Sequence, residues 1–258
     1  MAEPVPLTYG SYLRIPELLD LQTPLAVPLV PDEMLFIIGQ QAQELWFKQI
    51  LLDLQGVITL LQHNALLEAS RLLDRVNRIL KLLAAEAELL ETLPPVQFAE
   101  MRGALQSASG LESQQFRELE LASGLRDVSY LRMVERIVDV PEILARWPVS
   151  LHDALVATLP NEGADPTDAL HELYRNPAAN IVLYDLAEAF SEYELRFREW
   201  RFQHMQLVER IIGGRSAGTG GSAGSTYLGH TLQYRFFPEL WAARDRLTTE
   251  ARAIGQPV

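Results

Sequence analysis

The stretch DEMLFIIGQQAQELWFKQILLDL, residues 32–54, constrains the fold more than any other part of the chain. Apolar side chains at Phe36, Leu45, Ile50, Leu54 and Val57 recur at roughly helical spacing, and Asp32 and Glu33 supply the negative charge that a first helical turn favours. The same period governs most of the remaining chain. It predicts helices over 32–63, 66–92, 95–106 and 110–122, several of them rich in Leu, Ala, Glu and Gln. Shorter helices are expected over 125–160, broken at Pro141, Pro148 and Pro160. Loop signals in NEGADPTD and RNPAAN mark 161–178, and a long helix from about 179 to 212 ends at Gly213 and Gly214. Residues 1–31 are rich in proline and read as an arm with a short helix near 12–19. Convincing strand alternation is absent, as are an internal repeat and a domain linker. The expectation is one all-α domain over 1–258, a helical bundle with an N-terminal arm (1–31) and a mobile glycine-rich loop (213–226).

Composition narrows the chemistry. With 258 residues, 48% of them hydrophobic, the chain can bury a large core. Its formal net charge of −12 is offset by no long basic run, which argues against binding a nucleic-acid backbone or an anionic membrane surface. The absence of cysteine excludes disulfides, thiolate metal sites and thioether-attached heme. MAEPVPLTYG carries no apolar signal core, and no apolar run approaches the length of about 18 residues that a membrane span needs. A soluble, cytoplasmic protein is expected.

His204 is the best candidate for a metal ligand. In EWRFQHMQLVERIIGG it shares a helical face with Trp200, Val208 and Ile211, so its ring points into apolar surroundings. From spacing alone the commoner outcome is a core histidine satisfied by a hydrogen bond. A zinc site would want a second ligand one turn away, which is lacking, whereas heme needs only one. His63, His152, His171 and His230 lie in no comparable context and read as surface or structural. GGRSAGTGGSAGS, residues 213–225, holds six glycines, but it follows a helix and lacks the lysine and hydroxyl pair of a phosphate-binding loop. Composition alone favours a flexible surface loop. Phe98 and Arg102 stand four apart on a helix begun by Pro94 and Pro95. Arg102 is by default a solvated or ion-paired charge, yet a guanidinium is also the side chain best suited to gripping a carboxylate at two points.

Four segments together resemble the heme-dependent tryptophan 2,3-dioxygenase superfamily: LTYGSYLRIPELL, DE-x-LFII-x-x-Q-x-x-ELWFK, PPVQFAEMRGALQSASG, and HMQLVERIIGGRSAGTGGSAG with the tail FFPELW. The resemblance implies a noncovalent heme b whose iron takes His204 as proximal ligand. It implies that Arg102 clamps the substrate carboxylate, that Phe98 packs on the indole, that Phe36, one turn before Gln40 on the same face, is a substrate-binding residue, and that Ala108, Ser109 and Gly110 line the heme and substrate pocket. Thr219 would meet the substrate's ammonium and carboxylate as the loop closes on hinges at Gly218 and Gly220, although its spacing from His204 is one residue longer than usual. Tyr9, Tyr12 and Leu13 would close the pocket of a neighbouring subunit, which implies a homotetramer built from two dimers. Leu111 and residues 112–115 depart from the family pattern.

The departure that bears on chemistry is Gln40, at a position where the superfamily usually has a distal histidine. A glutamine amide has no useful pKa and can only donate or accept hydrogen bonds. The reading preferred from this substitution is monooxygenation of L-tryptophan or a substituted tryptophan to a 2-oxindole, with an external reductant. The alternative is dioxygenation to N-formylkynurenine with Gln40 as a tolerated replacement, and a third reading is a non-catalytic heme or indole sensor.

Overall fold

A computed structural model of the chain describes residues 6–106, 108–160, 165–214 and 225–253. Among the described residues the secondary structure is helical throughout, as the periodicity predicts. Two short helices, α1 (Tyr9–Leu13) and α2 (Ile15–Leu18), lie in the arm. The long α3 (Glu33–Gln62) and α4 (Leu66–Leu90) come next, joined by a tight turn that folds α4 back along α3. After them are α5 (Pro95–Leu105), α6 (Gln114–Ser123), α7 (Val128–Val134), α8 (Val140–Arg146), α9 (Leu151–Thr158) and α10 (Pro166–Arg175). The chain ends with α11 (Ile181–Ile212), α12 (Ser225–Thr231) and α13 (Pro238–Ala253).

Three long helices form the frame. α4 is sandwiched between α3 and α11, and fully buried Ile50, Leu54, Leu73, Leu80, Phe190 and Phe197 fill the space between them and α6. Several polar groups that cross this core pair with one another. The buried Asp53 carboxylate on α3 accepts from Arg75 on α4 at 2.9 and 2.5 Å, and Tyr193 on α11 meets Ser123 at the end of α6 at 2.7 Å. Glu194 on α11 accepts from the backbone N–H groups of Phe236 and Phe237 and from Trp241 Nε1, pinning the FFPELW tail to the bundle.

Several expectations are corrected. The predicted helix 110–122 is broken: a 3₁₀ turn (Gly110–Glu112) precedes α6, because Ser113 turns extended and caps the new helix by accepting from Phe116 N–H. The segment 161–178, predicted as loop, contains α10, for which Asp165 is the N-cap and Pro166 the N1 residue. The helix expected near 12–19 is two helices separated by Arg14 in the left-handed conformation. Leu45, predicted for the apolar stripe of α3, is 56% exposed, while Phe47 is buried in its place.

Two glycines allow close approach of neighbouring helices, and at the first only glycine fits. Gly124 ends α6 at φ +120, and a Cβ there would stand 2.6 Å from His152 Cβ. Gly39, beside Gln40, lets the Leu90 side chain of α4 approach to 2.9 Å from where a Cβ would lie.

Candidate active site

A cavity of about 430 Å³ opens between α3, the end of α4, α5, the 3₁₀ turn, α6, α11 and α12. That volume falls in the range of small-molecule and cofactor sites, about 300–1,000 Å³. Phe36, Gln40, Phe98, Arg102, Ala108, Ser109, Gly110 and His204 all line it. Residues from separate sequence segments therefore share one continuous space, which no single motif could have established.

α11 delivers His204 to the cavity, with Trp200, Val208 and Ile211 lining it from the same face, as their spacing predicts. The Trp200 ring stacks on the imidazole at 5.4 Å between centroids and 9° between planes, fixing its orientation. The imidazole makes no hydrogen bond among the described residues. One edge of the ring faces the cavity. Burial, reinforced by the positive charge of Arg117, lowers its pKa to about 4, so at neutral pH it is an uncharged nitrogen base with a free lone pair. Among the described residues no group of three His, Cys, Asp or Glu side chains converges to hold a bare metal ion. A single neutral imidazole in an apolar cavity fits a heme, whose porphyrin supplies the other ligands.

The opposite side of the cavity is built by α3 and α5. Phe36 and Phe98 meet edge to face at 5.8 Å, and Gln40 follows Phe36 by one turn on the same face. Arg102 lies in the last turn of α5. Beyond it Ser109 closes a reciprocal capping box with Glu112, so its backbone N–H and side chain shape the turn at the cavity rim. Glu44, one turn beyond Gln40, accepts a 2.7 Å hydrogen bond from Gln115.

Tyr9, Tyr12 and Leu13 do not line this cavity; they are 77%, 70% and 42% exposed. Thr219, Gly218, Gly220 and most of the loop 213–226 lie outside the described residues. The other histidines are structural or superficial: His63 bonds to the Thr59 carbonyl, His152 to Glu239, His171 to Glu250, and His230 is exposed.

Sequence reasoning does not reach Arg117, Glu120 and Arg201. Glu120 is fully buried and accepts from Arg117 Nη1 at 2.5 Å, from Arg201 Nη2 at 2.6 Å and from the Tyr130 hydroxyl. Both guanidiniums reach the cavity wall. The signal that could have found them lies in FRELE, where Arg117 and Glu120 stand three apart on an apolar helix, and in WRFQH, where Arg201 precedes His204 by one turn.

An all-α fold that offers one neutral imidazole to a largely apolar cavity has the chemistry that a heme-binding protein needs. Comparison with known proteins narrows this. The family model described as tryptophan 2,3-dioxygenase matches residues 2–142 and 166–247. A tryptophan 2,3-dioxygenase of Herpetosiphon aurantiacus is 39% identical over 93% of this chain and 98% of its own length. The relative from Caulobacter vibrioides is 38% identical over 93% and 98%, and that from a Nocardioides species 37% over 93% and 95%. The chain belongs to the tryptophan 2,3-dioxygenase family, and heme b is the cofactor on which that family depends.

Proposed function

We propose that this protein, as one heme-binding helical domain, oxidises the C2–C3 bond of the L-tryptophan indole with dioxygen, inserting both atoms to give N-formylkynurenine. The names of the relatives, whose length this chain covers almost completely, favour this dioxygenation over the 2-oxindole preferred from sequence. The observation that carries the reading is the convergence of His204, Arg102, Phe36 and Phe98 on one cavity.

His204 is the proximal ligand in this reading. Bound heme supplies the iron at which dioxygen is activated toward the indole. The protein's own residues do the rest. Arg102 receives the amino acid's carboxylate in two-point fashion, and Phe36 and Phe98 flank the indole ring. Their apolar surfaces exclude water, which strengthens the Arg102 contact. Gln40 sets the condition at the ring nitrogen: its amide oxygen can accept from the indole N–H but cannot take the proton away. The proton therefore stays on nitrogen during oxygen attack. Thr219 is assigned to the ammonium and carboxylate end, and Tyr9, Tyr12 and Leu13 to a neighbouring subunit's pocket in a homotetramer.

Gln40 also supports the second reading, single-atom insertion to a 2-oxindole, because its amide can hydrogen-bond an oxygen developing at C2 and an external reductant can remove the other atom. Mass analysis of the product under labelled dioxygen decides between them. Two labelled atoms without added reductant, together with the kynurenine chromophore, are expected. One labelled atom, appearing only with ascorbate, would instead establish the monooxygenase.

A further inference from the structure

Arg117 and Arg201 are neither the proposed iron ligand nor the proposed carboxylate clamp, yet both are buried at the cavity wall. Arg117 and Arg201 are each 3% exposed, and a single carboxylate, Glu120 at 0%, lies between them. The three form one fork: Glu120 Oε2 accepts from Arg117 and Oε1 from Arg201. No other carboxylate among the described residues is within ion-pair distance of either guanidinium. Tyr130 adds a proton donor and no charge. Burial first, and then the Glu120 charge, raise its pKa well above the ordinary phenol value, so it stays protonated. Burial works against charge on Arg117, but Glu120 outweighs it and raises the pKa above the ordinary guanidinium value. The cluster therefore carries two positive charges against one negative, in the protein interior.

Such a surplus is costly to bury, and here it is only partly compensated. Arg201 donates to the Thr231 carbonyl at 3.1 Å and lies over the rings of Phe197 at 4.7 Å and Phe236 at 5.4 Å, while its Nε has no partner among the described residues. Its position is informative. Arg201 precedes His204 by three residues on α11, so the two side chains share a face. Arg117 follows Phe116, whose ring packs on Trp200 at 5.0 Å, and Trp200 stacks in turn on His204. The fork is thus linked to His204 both along α11 and through the Phe116–Trp200 stack.

We propose that the net positive charge of the Arg117–Glu120–Arg201 fork raises the reduction potential of the heme iron held by His204, favouring the ferrous state in which dioxygen is bound. The inference rests on His204 being the iron ligand. Reduction adds one electron and removes one unit of positive charge from the iron centre, so a neighbouring cation stabilises the reduced form more than the oxidised form. In a dry interior this effect is weakly screened. Among the described residues the imidazole has no hydrogen-bonding partner that would make it a stronger donor, so the charge of the fork acts beside a ligand not tuned in that way.

The test exploits the two signs within the fork. The heme-loaded protein and its variants are titrated anaerobically with dithionite in the presence of redox mediators, and the ferric and ferrous spectra give the midpoint. Arg117→Gln should lower the midpoint and Glu120→Gln should raise it. Each should move the ferric–ferrous equilibrium by at least about tenfold, which for a one-electron couple is about 59 mV. Arg117→Lys, which keeps the charge, should stay near the parent. A purely structural role would move the two charge variants in the same direction, and that result, or no shift in either, overturns the proposal. Should Arg117→Gln fail to fold, Arg201→Gln removes the same charge from the other arm of the fork. Should both fail, an unchanged or lowered midpoint in Glu120→Gln is sufficient to refute. Absence of a histidine-ligated heme in the parent would instead sink the ligand assignment, and the two failures are read from different spectra.

Discussion

At the scale of single residues, the proposed roles separate holding the cofactor from holding the substrate. His204→Ala removes the neutral nitrogen base that lines the cavity, and heme content should fall to a small fraction of the parent's by absorption. Arg102→Ala should leave heme content intact and weaken tryptophan binding by at least about tenfold. A charge-assisted hydrogen bond in a water-poor pocket is worth on the order of 1.5–3 kcal/mol. Equal binding by parent and variant in a spectral titration would place the carboxylate clamp elsewhere. Gln40 permits a sharper test, because its proposed partner can be deleted from the ligand as well as from the protein. A neutral hydrogen bond contributes about 0.5–1.5 kcal/mol, so Gln40→Ala should weaken tryptophan by roughly twofold to tenfold and leave 1-methyltryptophan, which has no indole N–H, unchanged. A parallel loss for both ligands would show that Gln40 shapes the pocket without bonding the ring nitrogen.

At the scale of elements, the long helices are legible in the sequence and the joints are not. The period of 3.6 fixes α3, α4 and α11 because each buries a continuous stripe, whereas α10 is short and its stretch looks like loop until Asp165 and Pro166 are recognised as a cap and an N1 residue. The break at Ser113 likewise turns on one capping serine inside an otherwise helical pattern. The same asymmetry holds for the site. Arg102 and His204 stand out through their motifs, while Glu120 and Arg201 pass for surface charges, since burial of an ion pair depends on which helices meet. One such joint is testable by pH. His152 on α9 meets Glu239 on α13 at 3.0 Å, with Asp153 at 3.8 Å, under the close approach of Gly124. The hydrogen bond to Glu239, opposed by burial, raises the His152 pKa above 6.5. Burial works against the Glu239 carboxylate, but the His152 hydrogen bond and a backbone N–H outweigh it and hold its pKa below 4.5. The histidine contribution is therefore complete below pH 6.5 and is lost as pH rises through the folded-state value. The glutamate contribution is present above 4.5 and is lost as pH falls through its own. The difference in Tm between parent and His152→Gln should be greatest between about pH 4.5 and 6.5 and should shrink on the alkaline side. A difference that stays constant into alkaline solution would show that charge on His152 contributes nothing.

At the scale of the whole molecule, the surface is uneven in a way that points to assembly. No helix among the described residues is long and apolar enough to cross a membrane, yet many large apolar side chains are exposed. They concentrate in the arm: Leu7, Tyr9, Tyr12, Leu19 and Leu21 are 63–77% exposed. Contiguous apolar surface of this kind marks a contact site more often than a free face. The root of the arm is firmly held. Buried Glu33 accepts from the backbone N–H groups of Leu25 and Ala26 at 2.7 and 3.0 Å, and Gln41 bonds the Leu21 carbonyl and Gln22. Gln41 is the neighbour of Gln40, so the arm is anchored at the same end of α3 that walls the cavity, while its tip stands clear of it. That geometry suits a tip reaching into a second copy of the chain. If the tip completes a partner's pocket, as proposed, replacing Tyr9, Tyr12 and Leu13 together with serine should reduce the molar mass seen by light scattering and lower tryptophan turnover several-fold at unchanged heme content, since none of the three lines the cavity of its own chain. If mass falls while turnover per heme holds, the arm joins subunits without completing a pocket. If neither changes, the exposed arm has no part in assembly.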